Sequence, residues 1–238
     1  AASRAGTPAA VYTIDNSCIL NYASGAYLTR TPSVTTDTRT WTMSFWLKLC
    51  GLANDTSGGI SFFAAGSTDI KISDTNDKLF VNDGTVYKIT NGVFRDFTAW
   101  NHIVIAADTT SGTAGNRLKL YVNGEIASLA TDTAPDEDFA FDVNNTEPHQ
   151  IGKEGANYMD GYISEFYIID GTQKEAADFG ETNTKGVWIP KEYTGSYGTN
   201  GCFLNFESSG DLGNDVSGNN NDFSLNNIDS SDQSSDTP

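Results

Sequence analysis

The chain has 238 residues and carries 31 Asp and Glu against 14 Lys and Arg, a formal net charge of −17. Nucleic-acid binding needs Lys and Arg to neutralise phosphates, so this balance excludes that class, and an anionic membrane surface would repel the chain. Only two Met stand beside 23 Gly and 11% aromatics, a Thr-, Asn- and Asp-rich mix that suits strands and turns, and a single β-sandwich can use the whole length.

The acidity reads either as solubility in salty surroundings or as clustered Asp for a divalent cation. Cys18, Cys50 and Cys202 are odd in number and widely spaced. They form no disulfide framework and no zinc spacing, and buried free thiols are expected, with one bridge left open. No apolar run reaches the roughly 18 residues of a membrane helix. The chain opens on Ala1 without a secretory pattern, which reads as a processed or excised chain.

Residues 1–10, AASRAGTPAA, lack any pattern and predict a flexible terminus. A sandwich is expected over 11–206. In WTMSFWLKL (41–49), Trp41, Met43, Phe45, Leu47 and Leu49 share one face, and Thr42, Ser44, Trp46 and Lys48 share the other. Such period-two patterning predicts a half-buried strand. GISFFAA, TDIKIS, KLFVN and TVYKIT follow as a meander over 60–90, split by DTND and NDG turns. NHIVIAA (101–107) and RLKLYV (117–122) are further strands, the second running into Asn123-Gly124, a strong hairpin signal. GYISEFYII (161–169) makes a late strand.

One short helix is predicted, capped by Thr172 through Glu175 and ended by Gly180, about two turns long. Beyond Lys191 no Lys or Arg occurs. Residues 207–238 read as an acidic, turn-rich segment, packed in part as an edge strand, with 229–238 disordered or linker-like. CFLNF and DFSLNNI are its candidate strands. Many short strands with one minor helix predict an all-β sandwich.

Four motifs resemble laminin-G-like and pentraxin-like domains in the right order. CILNYASGAYLTRTPSV leads to Ser44-Phe45-Trp46. Trp100-Asn101-His102 matches a Trp-x-His strand, and Leu120-Tyr121-Val122-Asn123-Gly124 a hairpin. Ile151-Gly152 precedes the closing Gly161-Tyr162-Ile163-Ser164-Glu165 strand. The resemblance covers about residues 18–170 and implies a concanavalin A-like jelly-roll of two antiparallel sheets. GYISEFYIIDG, GVWIPKEYTGSYGTNGCFLNF and LGNDVSGNNNDF further resemble structural proteins of tailed phages. That second resemblance implies a virion location, as fibre, spike or capsid decoration, with other virion proteins as partners and a trimer as one oligomeric form.

Glycanases of this group carry Glu-x-Asp-x-x-Glu on one strand, which puts the acids on one face. No such run occurs. Asp136-Glu137-Asp138 comes nearest and reads as a solvated loop. Glu165 has no acid partner two residues away. His102, among apolar residues, reads as structural, and His149 follows Pro148 in an expected loop. A non-catalytic lectin-like module is therefore expected, binding glycan or host surface. A ligand-free structural module is the alternative, and a glycoside hydrolase a more distant one. Many relatives bind Ca2+ beside the early Gly-Tyr strand, but Tyr22 to Tyr27 contain no Asp. Asn214, Asp215, Asn219, Asn221 and Asp222 are oxygen-rich and equally suit turns, so the metal is left unknown. For sugar contacts the candidates are Trp46, which is either a platform or covered by another layer, and Asn157 with Tyr158. Trp188 is expected to staple the tail to the sandwich.

Overall fold

The structure is a computed structural model and describes residues 12–51, 58–73 and 75–238. The terminus expected over 1–10 lies outside the described residues. Strands run in chain order as β1 (Ser17–Leu20), β2 (Tyr27–Arg30), β3 (Thr40–Leu49), β4 (Ile60–Ala65), β5 (Thr68–Ile72), β6 (Lys78–Asp83) and β7 (Val86–Val93). Next come β8 (Asn101–Asp108), β9 (Leu118–Val122), β10 (Glu125–Ile126), β11 (Leu129–Thr133), β12 (His149–Ile151), β13 (Lys153–Glu154) and β14 (Asn157–Tyr158). The last are β15 (Gly161–Asp170), β16 (Gly180–Thr182), β17 (Trp188–Pro190), β18 (Cys202–Leu204), β19 (Ser224–Asn226) and β20 (Gln233–Ser234).

Two antiparallel sheets face each other. The first has the order β10-β9-β8-β3-β15-β1-β20, with β18 also paired to β15. The second has the order β11-β7-β6-β5-β4-β12-β2-β19. The predicted strands of the meander are β4 to β7. The Asn-Gly hairpin joins β9 and β10, with Asn123 at φ 50° and Gly124 at φ 87°, as a type I′ turn requires. Asn123 Oδ1 also accepts the His102 backbone N–H at 2.7 Å, which ties the turn to β8. Gly161 opens β15 because a Cβ there would lie 2.3 Å from the Lys48 carbonyl.

The core lies between the sheets. Trp41, Met43, Phe45, Leu47 and Leu49 enter it from β3 and meet Phe62, Phe63, Ile70, Val81 and Ile151 from the second sheet. The other face of β3 is not solvated as period two alone suggests. A second apolar layer, with Tyr167, Phe179 and Tyr193, lies outside the first sheet, and Trp188, Tyr197 and Phe203 pack against it. Segment 171–201 thus crosses the outer face of the first sheet before the chain enters it as β18. Thr42 and Ser44 are buried beneath it.

The expected two-turn helix is a single 3-10 turn, Ala176–Asp178, with Glu175 at its N-cap position. Residues 172–174 are held instead by the first sheet. Thr42 Oγ1 donates to the Thr172 carbonyl at 2.9 Å and accepts the Lys174 N–H at 2.8 Å, and the Gln173 amide donates to Ala106 and Asn116. Those bonds outweigh a weak local helical preference. Cys18 and Cys202 are buried free thiols as expected, whereas Cys50 is exposed.

Residues 207–238 complete both sheets. β19 pairs with β2 and β20 with β1, and Leu212 and Phe223 lie in the main core. The stretch 229–238, expected to be disordered or linker-like, is packed. Asp236 accepts from Lys48 Nζ at 2.5 Å and Trp100 Nε1 at 3.0 Å, and its carbonyl accepts from Ser17 Oγ at 2.7 Å. Polarity hid this, because the contacts are hydrogen bonds and not an apolar face.

Phe223→Ala is expected to cost about 3–5 kcal/mol, read as a lower urea midpoint. A chain ended after Phe206 should lose cooperative unfolding. If it kept the full-length midpoint, residues 207–238 would be an appendage.

Candidate functional site

Tyr158 lies on the short hairpin β13–β14 and faces the loop joining β1 to β2. Its ring centroid is 6.3 Å from that of Tyr22 and 6.2 Å from that of Tyr27, tilted by 75° and 57°. Lys153 Nζ sits 4.2 Å from the Tyr27 ring centroid and 5.4 Å from that of Tyr158, in cation–π range. Loop 21–26 is braced locally. Asn21 Oδ1 accepts the Ala23 N–H, Gly25 takes φ 66°, and the Asn227 amide donates to the Ser24 carbonyl at 2.9 Å.

Tyr22 is 40% exposed, and Tyr27 and Tyr158 are half-buried. None of the three hydroxyls bonds to a described residue. The Lys153 ammonium has no carboxylate partner among the described residues. Asn157, the other predicted contact, is engaged within its hairpin, its amide donating to Glu154 Oε2 at 3.0 Å. The structure therefore joins Tyr158 to Tyr22, Tyr27 and Lys153, which sequence reading did not bring together. The signal available was the Tyr-rich flank of the Gly25 turn, and only the fold places a hairpin 130 residues away against it.

Trp46 does not belong to this surface. It is 4% exposed and stacks on His102, with centroids 4.8 Å apart. His102 in turn stacks under Trp188 at 6.0 Å. Trp188 Nε1 donates to His102 Nδ1 at 3.1 Å, so the ring proton sits on Nε2 and faces Ser44 Oγ at 2.9 Å. Burial lowers the His102 pKa to about 3, keeping it neutral. As a ligand platform Trp46 is corrected to a covered residue, because segment 171–201 lies over its sheet. Trp188 is the staple.

The model of the concanavalin A-like lectin/glucanases superfamily, of laminin-G type, matches residues 23–177. The chain belongs to this superfamily. No curated protein matches it. Among solved structures, a native heptameric SAP-like pentraxin from Limulus polyphemus is similar at 15% identity and a TM-score of 0.46, over 69% of this chain and 80% of that one. Domain 4 of AbnA, a GH43 extracellular arabinanase from Geobacillus stearothermophilus solved with arabinotriose, is similar at 19% identity and a TM-score of 0.46, over 66% and 72%. The binding domain of botulinum neurotoxin DC, solved with rat synaptotagmin II, is similar at 14% identity and a TM-score of 0.41, over 64% of this chain and 40% of that one.

A lectin/glucanase domain raises the question of its carboxylates. Glu165 sits at a β-bulge in β15 with φ 50°. Its two oxygens accept from Tyr12 Oη at 2.9 Å and from Tyr167 Oη. Asp15 and Glu207 line the same polar pocket, whose volume of about 160 Å3 is below the roughly 300 Å3 at which ligand pockets begin. Asp136 to Asp138 form a charged turn tied down by arginines, Arg39 to Asp138 at 2.9 Å and Arg117 to Glu137 at 3.0 Å. His149 is not in a loop. It opens β12 and is buried, its Nε2 accepting the Asn144 N–H and its Nδ1 donating to the Glu147 carbonyl. Burial brings its pKa down to about 4.

The oxygen-rich loop 214–222 has its acceptors occupied by donors. Asp215 accepts the N–H groups of Phe203, Ser217 and Asn221 and the Ser217 hydroxyl, and Asp222 accepts the Asp215 N–H. Asn219 and Asn221 donate to the carbonyls of Gly198, Thr199 and Gly201. This donor set fits a backbone brace and not calcium, which needs free oxygen lone pairs. No group of three or more His, Cys, Asp or Glu placed for a metal occurs among the described residues.

Burial, opposed by the two tyrosine hydroxyls and aided by Glu192, pushes Glu165 up to about 7 from 4.5. The folded state then binds a proton that the unfolded chain releases above 4.5. Stability from this group is therefore fully present below pH 4.5 and lost as pH rises to 7, by on the order of 3 kcal/mol. Urea midpoints measured from pH 4.5 to 8 should fall less steeply in Glu165→Gln than in the parent. Identical slopes would place the titration elsewhere.

Proposed function

We propose that the chain is a non-catalytic, lectin-like module that binds glycan through the Tyr22, Tyr27 and Tyr158 patch. The observation that carries this reading is three adjoining phenol rings, their hydroxyls without a partner among the described residues, beside the Lys153 ammonium. Sugar C–H faces stack on aromatic rings, and the hydroxyls and Lys153 supply donors at the rim. This is the mixture of apolar area and a few polar groups that orients small ligands. Affinity per site is modest in such open surfaces, and display in many copies raises it.

The stretches from Gly161 onward that resemble tailed-phage structural proteins support a virion location, as fibre, spike or decoration. Other virion subunits and host-surface glycans are the partners this reading names. A second reading, a structural module without a sugar ligand, is favoured by a different surface. Val93 and Ile126 are exposed beside a cleft of about 500 Å3 at the β7 and β10 edge, and exposed apolar patches mark protein contacts.

A glycan array probed with multivalent protein is expected to give sugar-dependent binding. Tyr158→Ala should lower it at least about tenfold, near 1.4 kcal/mol, with an unchanged far-ultraviolet spectrum. No sugar release is expected. Binding untouched by Tyr158→Ala would move the site. An empty array combined with loss of particle assembly in Ile126→Asp would establish the second reading.

A further inference from the structure

The two sheets end together at one edge of the sandwich. There β10 is the last strand of the first sheet and β11 the last of the second. The cleft of about 500 Å3 at this edge has the size of an ordinary binding pocket. Its floor is apolar. Phe94 belongs to the main core, and Val122 and Ala127 pack against that core. Val93 and Ile126, 48% and 60% exposed, form its mouth. Asp96 and Glu125 line it too, and neither has a cation partner among the described residues. The link through Ala127 and Ser128 is tied down. The Asn91 N–H donates to the Ser128 carbonyl at 2.8 Å, and the Asn91 amide donates to Ser128 Oγ at 2.8 Å. The cleft is therefore built before anything enters it.

Beside the cleft the chain raises a knob. Hairpin β16–β17 turns through residues 183–187. Asn183 Oδ1 accepts the N–H groups of Lys185 and Val187 at 2.9 and 3.0 Å, and the Gly186 N–H donates to the Asn183 carbonyl at 2.9 Å. This braced tip holds Val187 54% exposed. Lys185 is exposed next to it, and its ammonium has no carboxylate partner among the described residues. Trp188 fixes where the knob stands. Its indole lies against Gly124, where a Cβ would come within 2.4 Å of the ring. The residue after Gly124 is Glu125, which lines the cleft. Knob and cleft are thus neighbours on one edge of the molecule, yet no residue of the hairpin enters the cleft of its own chain.

We propose that the cleft receives Lys185 to Val187 of a second copy of this chain. Val187 seats on the apolar floor between the sheets, and the Lys185 ammonium meets Glu125 and Asp96. Because knob and cleft adjoin, one two-fold axis lets each copy fill the cleft of the other, the self-complementary contact of an isologous dimer. The braced tip has little freedom to lose on docking. Each copy carries −17 overall, but repulsion between distant charges is screened beyond roughly 8 Å at physiological salt, and the charges brought into contact are unlike. The tyrosine patch stays open. The order β7-β6-β5-β4-β12-β2 puts Tyr27 five strand spacings from β7, about 24 Å. A dimer joined at this edge presents two such patches, and it forms whether or not those patches bind sugar.

Sedimentation of the full chain, from micromolar to near-millimolar concentration at physiological salt, tests the proposal. A concentration-dependent dimer is expected. Val187→Asp, Ile126→Asp, Lys185→Glu and Glu125→Lys should each weaken it at least about tenfold, with an unchanged far-ultraviolet spectrum. An equimolar mixture of the Lys185→Glu and Glu125→Lys proteins should dimerise again, because both exchanged pairs are then unlike. A monomer at every concentration, a trimer, full dimer affinity in Val187→Asp, or no recovery in the mixture overturns the proposal. Each of these results leaves sugar binding by the tyrosine patch standing, and Tyr158→Ala should leave the dimer unchanged.

Discussion

The pairing of β3 with β15 is the constraint on which the rest of the molecule depends. These are the two longest strands, ten residues each, joined over most of their length. Both are buried on two faces. One side meets the second sheet through Phe45, Phe63 and Phe166, whose rings stack at 5.8 and 6.2 Å. The other side lies under segment 171–201, where Phe179 packs on Tyr167 with ring centroids 5.3 Å apart. A ladder closed on both sides is sheltered from water, and its backbone bonds are correspondingly protected. It is also unable to present anything to a ligand.

This asymmetry sets the two outer faces of the sandwich apart. The first sheet gives up its outer face to the chain's own segment, with Trp46, His102 and Trp188 filling it as a stack. Among the described residues no comparable apolar cluster lies on the outside of the second sheet. Thr29, Gln150, Ala64, Asp69, Asn82 and Tyr87 share its outer side, while Leu28, Ile151, Phe63, Ile70 and Val81 turn inward. The tyrosine patch and the Phe80–Tyr87 pair lie on that side, with the buried Ala64 and Asp69 between them, and Lys153 and Lys71 stand over their rings in cation–π range.

Alternation carried most of the fold's information. WTMSFWLKL and NHIVIAA each place every second residue in the core, GYISEFYII does so on either side of its bulge at Glu165, and Asn123-Gly124 makes the turn it signals. What alternation could not convey is the second layer. Trp46 falls on the polar face by counting, and only the covering segment shows why a Trp is tolerated there. The same holds for the tail, where Asp236 docks by hydrogen bonds that leave no hydrophobic pattern in DSSDQSSDTP. The candidate site was half legible. Tyr158 stands out as an aromatic in a Gly-flanked hairpin, while its partners Tyr22 and Tyr27 are joined to it by sheet order, which a local pattern does not encode.

The acidity, which admitted a cation-binding reading, has a local explanation. Asp96, Asp108, Asp215 and Asp229 each stand two residues before a Ser or Thr and accept that residue's backbone N–H at 2.8–3.1 Å. Asp37 does the same for Arg39 and Thr40. An ionised Asp accepts from turn amides that no strand partner can satisfy, so a protein made of short strands and many turns gathers carboxylates for structural reasons. Among the described residues seven Lys and Arg pair with other carboxylates, Arg39, Lys71, Lys88, Arg95 and Arg117 among them. The residual field is negative and repels polyanions at long range.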